Sequence, residues 1–199
     1  MIAVIADDLT GAAEIAGLGW RHGLRAEILE RDEAPSDAEL VVYDADTRDC
    51  PAAEARRRFL AITRRLRERK PEWIYKKVDS VLRGNVLAEI EAMQGVLGVE
   101  RCLLAPANPA ARRVIKNGNY FVRGVAIHKT DFRHDPAHPR RSASVKALLG
   151  ATRKNAVTLR KPSARKLPDG IVVGEAASNL YDDARRMLNF LEVAADLAS

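Results

Sequence analysis

Short apolar runs alternate with helical patterns along most of this 199-residue chain. Ile2–Ala6 and residues 26–29, 40–43, 73–78 and 102–105 have the length and composition of strands. Between them, apolar residues recur at helical spacing over residues 10–21 and again in the segment that Pro51 opens. This alternation predicts a three-layer α/β fold, in which a mostly parallel sheet carries helices on both faces.

The middle of the chain departs from that rhythm. The β-rich segments 120–122 and 125–127 flank Arg123 and Gly124, a spacing typical of a β-hairpin. We therefore expect a β-hairpin insertion near residues 117–128. Strands near residues 156–159 and 171–173 and a closing helix over about residues 179–197 follow. The length suits one well-packed unit, so the sequence predicts a single α/β domain over residues 1–199.

The charge balance is basic, with a net charge of +6 and a pI of about 9.5. Much of the excess lies in residues 55–70, where Phe59, Thr63 and Leu66 recur at helical spacing and leave the arginines on the other face. A solvated helix surface explains this pattern better than a nucleic-acid interface, because no zinc spacing, helix-turn-helix or aromatic RNA-binding motif accompanies it. We expect no nucleic-acid partner.

Targeting signals are equally scarce. No apolar stretch is long enough to cross a bilayer, and the first apolar run lacks the basic flank of a signal peptide. Cys50 and Cys102 are too few for a disulfide framework. The sequence therefore predicts a cytoplasmic protein with reduced thiols and no membrane partner.

Polar residues cluster where the predicted strands end. In a parallel α/β sheet, ligands bind beyond the carboxyl ends of the strands, so residues in these loops are expected to share one edge. The candidates are Asp7, Asp8, Thr10 and Gly11 after the first strand; Asp44, Asp46 and Arg48 after the third; Lys76, Lys77, Asp79, Ser80, Arg83, Gly84 and Asn85 after the fourth; and Pro106, Asn108 and Pro109 after the fifth.

Simpler explanations exist for several of these residues. Either Asp8 or Thr10 can be a helix N-cap with no further role. Arg83 can pair with Asp79 across one helical turn. Lysines 76 and 77 alternate along a strand, so we expect one of them at the edge and the other in solvent.

The residue types suit a small hydroxylated acid. Arg83 or a lysine can hold a carboxylate, and arginine does so with bidentate geometry. Asp7 or Asp8 and Asn108 can exchange hydrogen bonds with hydroxyl groups. An aspartate is also the proton acceptor that phosphoryl transfer to an alcohol requires.

Nucleotide and metal signatures are missing from the sequence. There is no GxxxxGK[ST] loop, and the glycines of "GLGWRHG" fall late in a predicted helix instead of after a strand. Three histidines and two aspartates lie between residues 128 and 138, but their irregular spacing favours a solvated or substrate-covering loop. We predict no metal site.

Taken in order, the motifs resemble one family. "IADDLTGAAEIAG", "YDADTRDCPAAEA", "YKKVDSVLRGNVLAEIEA", "APANPAARR" and "GNYFVRGVAIHKTDFRHDP" are similar to the N-terminal, substrate-binding domain of the four-carbon acid sugar kinases, formerly a domain of unknown function. The similarity extends from residue 2 to about residue 150. Val81 departs from the family pattern, which usually has a hydroxyl residue there, and Arg112 stands where a glycine is common.

The resemblance implies ATP- and Mg²⁺-dependent phosphorylation of an acid such as threonate, erythronate or 3-oxo-tetronate. In such enzymes a separate C-terminal domain contributes most of the nucleotide site. The resemblance assigns assistance of the attacking hydroxyl to Asp7 or Asp8. It assigns substrate binding to Thr10, Gly11, Arg48, Lys77, Asp79, Ser80, Arg83, Gly84 and Asn108.

The chain is shorter than full members of that family. We therefore expect a sugar-acid-binding domain that lacks its nucleotide-binding domain and needs a separately encoded partner for catalysis. The alternative is a non-catalytic sugar-acid sensor or regulatory protein. An aspartate-based phosphotransfer protein is a weaker alternative, because Pro106 stands where a receiver domain would have a lysine.

Overall fold

The structure is a computed structural model that describes residues 1–31, 33–34, 36–152, 157–161 and 168–176. The chain divides into two compact units. The first consists of Met1–Asp79 and Arg83–Val99, and the second of Ser80–Leu82 and the residues from Glu100 onward. A single domain over the whole chain stays a prediction, and the closing helix near residues 179–197 lies outside the described residues.

The first unit is built on a four-stranded parallel sheet with the order β2-β3-β1-β4. Ala6, the last residue of β1, lies opposite Asp44 of β3 and Lys77 of β4. The carboxyl ends of these three strands therefore lie side by side at one edge. The elements are β1 (Ile2–Ala6), α1 (Leu9–Arg21), β2 (Ala26–Glu30), β3 (Leu40–Asp44), α2 (Ala52–Glu68), β4 (Trp73–Lys77) and α3 (Val86–Leu97).

Helices cover both faces of this sheet because side chains alternate along each strand. Val4 and Val42 pack with Ala12 of α1 on one face. Ile5 and Tyr43 lie on the other face, in a core that includes Phe59, Ile62 and Leu66 of α2 and Ala92 and Met93 of α3. The predicted α/β fold with a parallel sheet and helices on both faces is confirmed.

The long helix α2 shows the predicted division of its surface. Phe59, Ile62 and Leu66 are buried, whereas Arg57 and Arg64 are exposed. The basic stretch of the sequence therefore covers the outer side of a core helix, as its periodicity indicates.

The second unit contains a parallel sheet and an antiparallel one. The strands β5 (Arg101–Leu104), β9 (Val157–Arg160) and β10 (Gly170–Gly174) form a parallel sheet with the order β5-β10-β9. Among the described residues the parallel strands therefore form two sheets instead of one, with β5 paired to β10. Burial patterns in the sequence identify such strands but do not specify their partners.

The antiparallel sheet contains the predicted hairpin. It consists of β6 (Arg113–Lys116), β7 (Asn119–Val122) and β8 (Val125–Ala126), paired in that order. Arg123 and Gly124 connect β7 to β8 and both have positive φ, as a tight two-residue turn requires. A short helix, α4 (Val145–Leu148), follows this sheet. Across the described ranges, no helix is both long enough and apolar enough to span a membrane.

Candidate functional site

Arg48 lies at the centre of a group of charged side chains at the carboxyl edge of the first sheet. Its Nε donates a hydrogen bond of 2.8 Å to Asp7 Oδ2, and its Nη1 donates to Asp8 Oδ2. Its Nη2 lies 3.9 Å from Asp79 Oδ1. Burial disfavours the charge of Arg48, but the bond to Asp7 and the three carboxylates outweigh this and raise its pKa. We call Asp7, Asp8, Arg48, Asp79 and Arg83 the carboxylate–arginine cluster.

Asp7 is the most buried carboxylate of this cluster, with 2% of its surface exposed. Its backbone carbonyl accepts hydrogen bonds from the amides of Thr47 (2.9 Å) and Arg48 (3.1 Å), which join the loop after β3 to the end of β1. Asp7 Oδ1 is buried, and among the described residues it has no hydrogen-bond donor. Buried carboxylate oxygens normally have partners, so Oδ1 is an unsatisfied acceptor within the cluster.

Asp8 differs from its neighbour because both of its oxygens are engaged. Asp8 is the N-cap of α1, and Oδ1 accepts a 2.8 Å hydrogen bond from the amide of Gly11. Oδ2 accepts from Arg48. The simple N-cap interpretation of Asp8 is therefore confirmed, although the residue also belongs to the cluster.

Gly11 permits a close approach between α1 and β4. A Cβ atom at this position would lie 2.9 Å from Asp8 Oδ1 and 3.3 Å from Lys77 Cγ. The Nζ of Lys77 lies 3.0 Å from the carboxylate of Glu14, an exposed residue of α1. Thr10, in the first turn of α1, is exposed.

Asp79 and Arg83 form a bidentate pair. Arg83 Nη2 lies 2.8 Å from Asp79 Oδ1, and both Nε and the backbone amide of Arg83 donate to Asp79 Oδ2. Burial raises the pKa of Asp79, but these bonds and the charges of Arg83 and Arg48 outweigh it and lower the pKa to about 2. The predicted pairing is present, but it spans a turn before α3 and not a helical turn.

Gly84 fits the same turn against the loop after β3. Its φ is +82°, a conformation that favours glycine, and a Cβ there would lie 3.3 Å from the backbone Cα of Arg48. The motif "RGN" therefore places Arg83 and lets the chain pass close to Arg48.

Ser80 and Asn108 belong to the second unit. Ser80 Oγ accepts a hydrogen bond from Arg113, and its carbonyl accepts from the hydroxyl of Tyr120. Asn108 Oδ1 accepts a 3.1 Å bond from the amide of Ala111 and so caps a short 3₁₀ turn.

Sequence analysis missed a buried network in the first unit. Glu89 is fully buried in α3, where its Oε1 accepts a 2.6 Å bond from Thr47 Oγ1 and its Oε2 lies 2.7 Å from Lys76 Nζ. The expectation that one of the two lysines is solvated is wrong, since the side chains of Lys76 and Lys77 are 7% and 16% exposed. The available signal was a glutamate at a core position of α3, beside Val86, Ile90 and Met93.

The guanidinium of Arg48 lies between the three aspartates of the cluster, at the place where a metal ion would need them as ligands. Asp7, Asp8 and Asp79 all lie against Arg48, so its positive charge already occupies the place between them. In the part of the chain that the structure describes, no group of three or more His, Cys, Asp or Glu side chains is arranged to hold a metal ion.

A parallel α/β unit with paired carboxylates and arginines at its strand ends is a small-ligand-binding domain. The family model described as sugar-binding N-terminal domain matches residues 2–188, and the chain belongs to that family.

The curated relatives are named as kinases of four-carbon acids. The chain is 33% identical over 155 residues to a 3-oxo-tetronate kinase of Brucella melitensis, covering 74% of this chain and 36% of the relative. It is 30% identical over 193 residues to a D-erythronate kinase of Heliobacterium modesticaldum, covering 94% and 44%. A D-threonate kinase of Salmonella typhimurium is 33% identical over 149 residues, covering 73% and 35%. The chain thus spans less than half the length of each of these relatives.

Solved structures share the fold. A Bordetella bronchiseptica protein of the domain of unknown function DUF1537, crystallised as a domain-swapped dimer with bound citrate, superposes with a TM-score of 0.77 at 27% identity. The match covers 94% of this chain and 50% of that one. A DUF1537 protein of Haemophilus influenzae has a TM-score of 0.80 at 24% identity, covering 98% of this chain and 52% of its own.

Proposed function

We propose that this sugar-binding domain holds a four-carbon sugar acid at the carboxylate–arginine cluster and forms the acid-binding half of an ATP-dependent kinase. Relatives named for 3-oxo-tetronate, erythronate and threonate support the substrate class. The citrate in the Bordetella bronchiseptica structure supports a small hydroxylated acid as ligand. The observation that carries the proposal is the buried Asp7 carboxylate, fixed through Oδ2 by Arg48 while Oδ1 has no donor among the described residues.

Asp7 is better suited than Asp8 to receive the proton of a substrate hydroxyl. Asp8 uses one oxygen to cap α1 and the other to accept from Arg48. Asp7 has one oxygen held by Arg48 and one that has no donor among the described residues. When the hydroxyl oxygen attacks phosphorus, its proton passes to a nearby aspartate in this class of reaction. We assign that role to Asp7, with Asp8 holding Arg48 in place.

The acid carboxylate needs a cation at the same edge. Arg83 is fixed by Asp79, and its side chain is 29% exposed, which leaves part of it at the surface. Lys77 lies 3.0 Å from Glu14, whose side chain is 62% exposed and can move aside. We propose Arg83 and Lys77 as the carboxylate contacts. The remaining proposed acid contacts, which rest on their motif positions, are Thr10, Gly11, Ser80, Gly84 and Asn108.

ATP and Mg²⁺ are proposed to bind mainly to a nucleotide-binding domain or partner chain. The cluster does not fit a metal ion, because the Arg48 guanidinium already lies between its three carboxylates. The sequence also offers no phosphate-binding loop. We therefore assign no step of the chemistry to a metal held by these residues. Such a two-part kinase of a small metabolite is proposed to work in the cytoplasm, in keeping with a sequence that contains only two cysteines.

Binding is the first test. Calorimetry with threonate, erythronate and 3-oxo-tetronate should show saturable binding of at least one acid to the purified chain. The D7N variant should bind it at least about tenfold more weakly, since a buried carboxylate contact is worth more than 1.4 kcal/mol. The control D169N removes an exposed carboxylate that pairs with Arg101 and should bind like wild type. The absence of binding to every acid, or equal affinity of D7N and wild type, contradicts the proposal.

A measurement of turnover distinguishes the acid-binding half of a kinase from a non-catalytic sensor. With Mg-ATP and a nucleotide-binding partner chain, the wild-type domain should support phosphorylation of the acid that it binds, and D7N should not. Acid binding without turnover in the presence of that partner favours the alternative, a non-catalytic sugar-acid sensor.

A further inference from the structure

A buried polar network lies beneath the carboxylate–arginine cluster in the first unit. Glu89 of α3 is 0% exposed, and its two oxygens face different partners, the hydroxyl of Thr47 at 2.6 Å and the ammonium of Lys76 at 2.7 Å. Lys76 Nζ also lies 4.9 Å from the centroid of the Phe59 ring. The ion pair therefore lies among residues of α2, α3 and β4. The bond from Thr47 to Glu89 connects it to the loop after β3.

Thr47 connects this network to Asp7 and Arg48. Its amide and that of Arg48 both donate to the carbonyl of Asp7, at 2.9 and 3.1 Å. Thr47 is itself 0% exposed, and its carbonyl accepts a 2.9 Å bond from Asn85 Nδ2. Asn85 Nδ2 also donates to the carbonyl of Cys50 at 2.8 Å. The loop from Thr47 to Cys50 is thus held from α3 at one side and joined to the end of β1 at the other.

We infer that Glu89, Lys76 and Thr47 act as positioning residues, which fix the loop after β3 so that Arg48 holds Asp7 in its ligand-binding geometry. This inference rests on the proposed function for its effect on acid binding. A hydroxyl donating to a buried, charged acceptor is strongly directional, and the loop atom that it fixes is one residue from Arg48. Loss of that bond lets the Arg48 side chain move away from Asp7 Oδ2.

Thr47 offers a clean test because the chain contains a matched threonine. Thr63 is also fully buried, and its hydroxyl donates a 2.6 Å bond, but to the carbonyl of Phe59 within α2. T47V and T63V remove the same hydroxyl and keep nearly the same volume. T47S restores the hydroxyl at the first position.

Two readouts are measured on each variant. The first is the affinity for the acid that wild type binds. The second is the Arg48 Nε–H signal in ¹⁵N NMR, assigned from its loss in R48K, together with its rate of hydrogen exchange. The second readout needs no ligand, so it reports on the network even if wild type binds no acid and the proposed function fails.

T47V should weaken acid binding by about tenfold and increase Nε–H exchange of Arg48 by at least a similar factor, as expected for the loss of one charge-assisted bond. T47S should recover most of both, and T63V should resemble wild type. If T47V does not fold, N85A takes its place, because it removes two other bonds that hold the same loop and should change both readouts in the same direction. Unchanged Arg48 exchange in T47V or N85A, or equal changes in T63V, overturns the inference.

Discussion

Two arginine–carboxylate networks of the first unit use the same chemistry in different surroundings. In the carboxylate–arginine cluster, Asp79 is 6% exposed and pairs with Arg83. On the outer side of α2, Glu54 accepts bonds from Arg57 and Arg58. The pKa of each carboxyl is lowered to about 2.

The causes of these equal pKa values differ. The bonds from Arg57 and Arg58 lower the pKa of Glu54 with little opposition from burial. Burial raises the pKa of Asp79, and Arg83 must overcome it. Removal of one arginine therefore leaves Glu54 partly exposed and still bonded to the other arginine. The same change leaves Asp79 as a buried charge without its main partner. A depressed pKa therefore does not by itself identify a structurally important pair.

The largest expected effect is on Arg48. R48M keeps much of the side-chain volume but removes the cation shared by Asp7, Asp8 and Asp79. The Arg48 side chain is only 17% exposed. Breaking a buried pair from one side costs about 3 kcal/mol or more. Urea unfolding of the chain should show this loss of stability. A variant as stable as wild type would mean that the cluster behaves like the surface of α2.

The next effect concerns acid pH. The pKa of Asp79 lies at about 2, below its ordinary value of 3.8, so the pair stabilises the fold above pH 3.8 by about 2 kcal/mol and this is lost as pH falls towards 2. R83Q removes the main cause of the lowered pKa. The stability difference between wild type and R83Q should therefore be largest near neutral pH and shrink below pH 3.8.

Urea unfolding between pH 7 and pH 2 measures that difference. R57M, which removes one of the two arginines that bond to Glu54, serves as the control. Its pH-dependent difference from wild type should be smaller, because Arg58 still bonds to Glu54. A constant gap between wild type and R83Q would show that the pair contributes through packing and not through the ionisation of Asp79.

A smaller effect is expected at Gly84, where backbone strain from the positive φ can be distinguished from the close approach of Arg48. G84A and G23A each place a Cβ on a residue with φ near +82°, which costs about 1–2 kcal/mol. Only Gly84 has a backbone atom nearby, the Arg48 Cα at 3.3 Å, whereas Gly23 has open space. Both variants should lower the urea midpoint, but only G84A should weaken acid binding. Equal affinities in calorimetry would mean that the loop of Arg48 tolerates displacement.

The smallest effect is expected on α2. R57M removes an arginine whose side chain is 73% exposed and which pairs with a residue of its own helix. Exposed pairs of this kind contribute little, because water and salt screen them. The urea midpoint of R57M should match that of wild type. A clear decrease would mean that the exposed network of α2 also contributes to stability.

Several features of the fold and site were open to prediction from the sequence. The apolar periods identified β1, β3, β4 and the buried face of α2, and residues 123–124 identified the hairpin turn. The strand-end rule predicted that Asp7, Asp8 and Arg48 would share one edge. Parallel strands end in register, so the rule depends only on the sheet type.

The pairing of strands and side chains was not open to prediction in this way. The sequence identified β5 as a strand but not its place beside β10, since an apolar run does not encode a partner. It could not show that Glu89 faces Thr47, a residue 42 positions away. Nor could it show that Asp8 is fully engaged while Asp7 keeps one oxygen without a described donor.

The sequence by itself determined the class of fold, the edge where the polar loops gather and the residue types available there, because these follow from local periodicity and from the geometry of parallel strands. Only the tertiary structure decided which carboxylate oxygens Arg48 fixes and that Lys76 pairs with the buried Glu89. Those outcomes depend on contacts between residues far apart in the chain. Burial increases the free energy associated with each of these hydrogen bonds and with each missing donor.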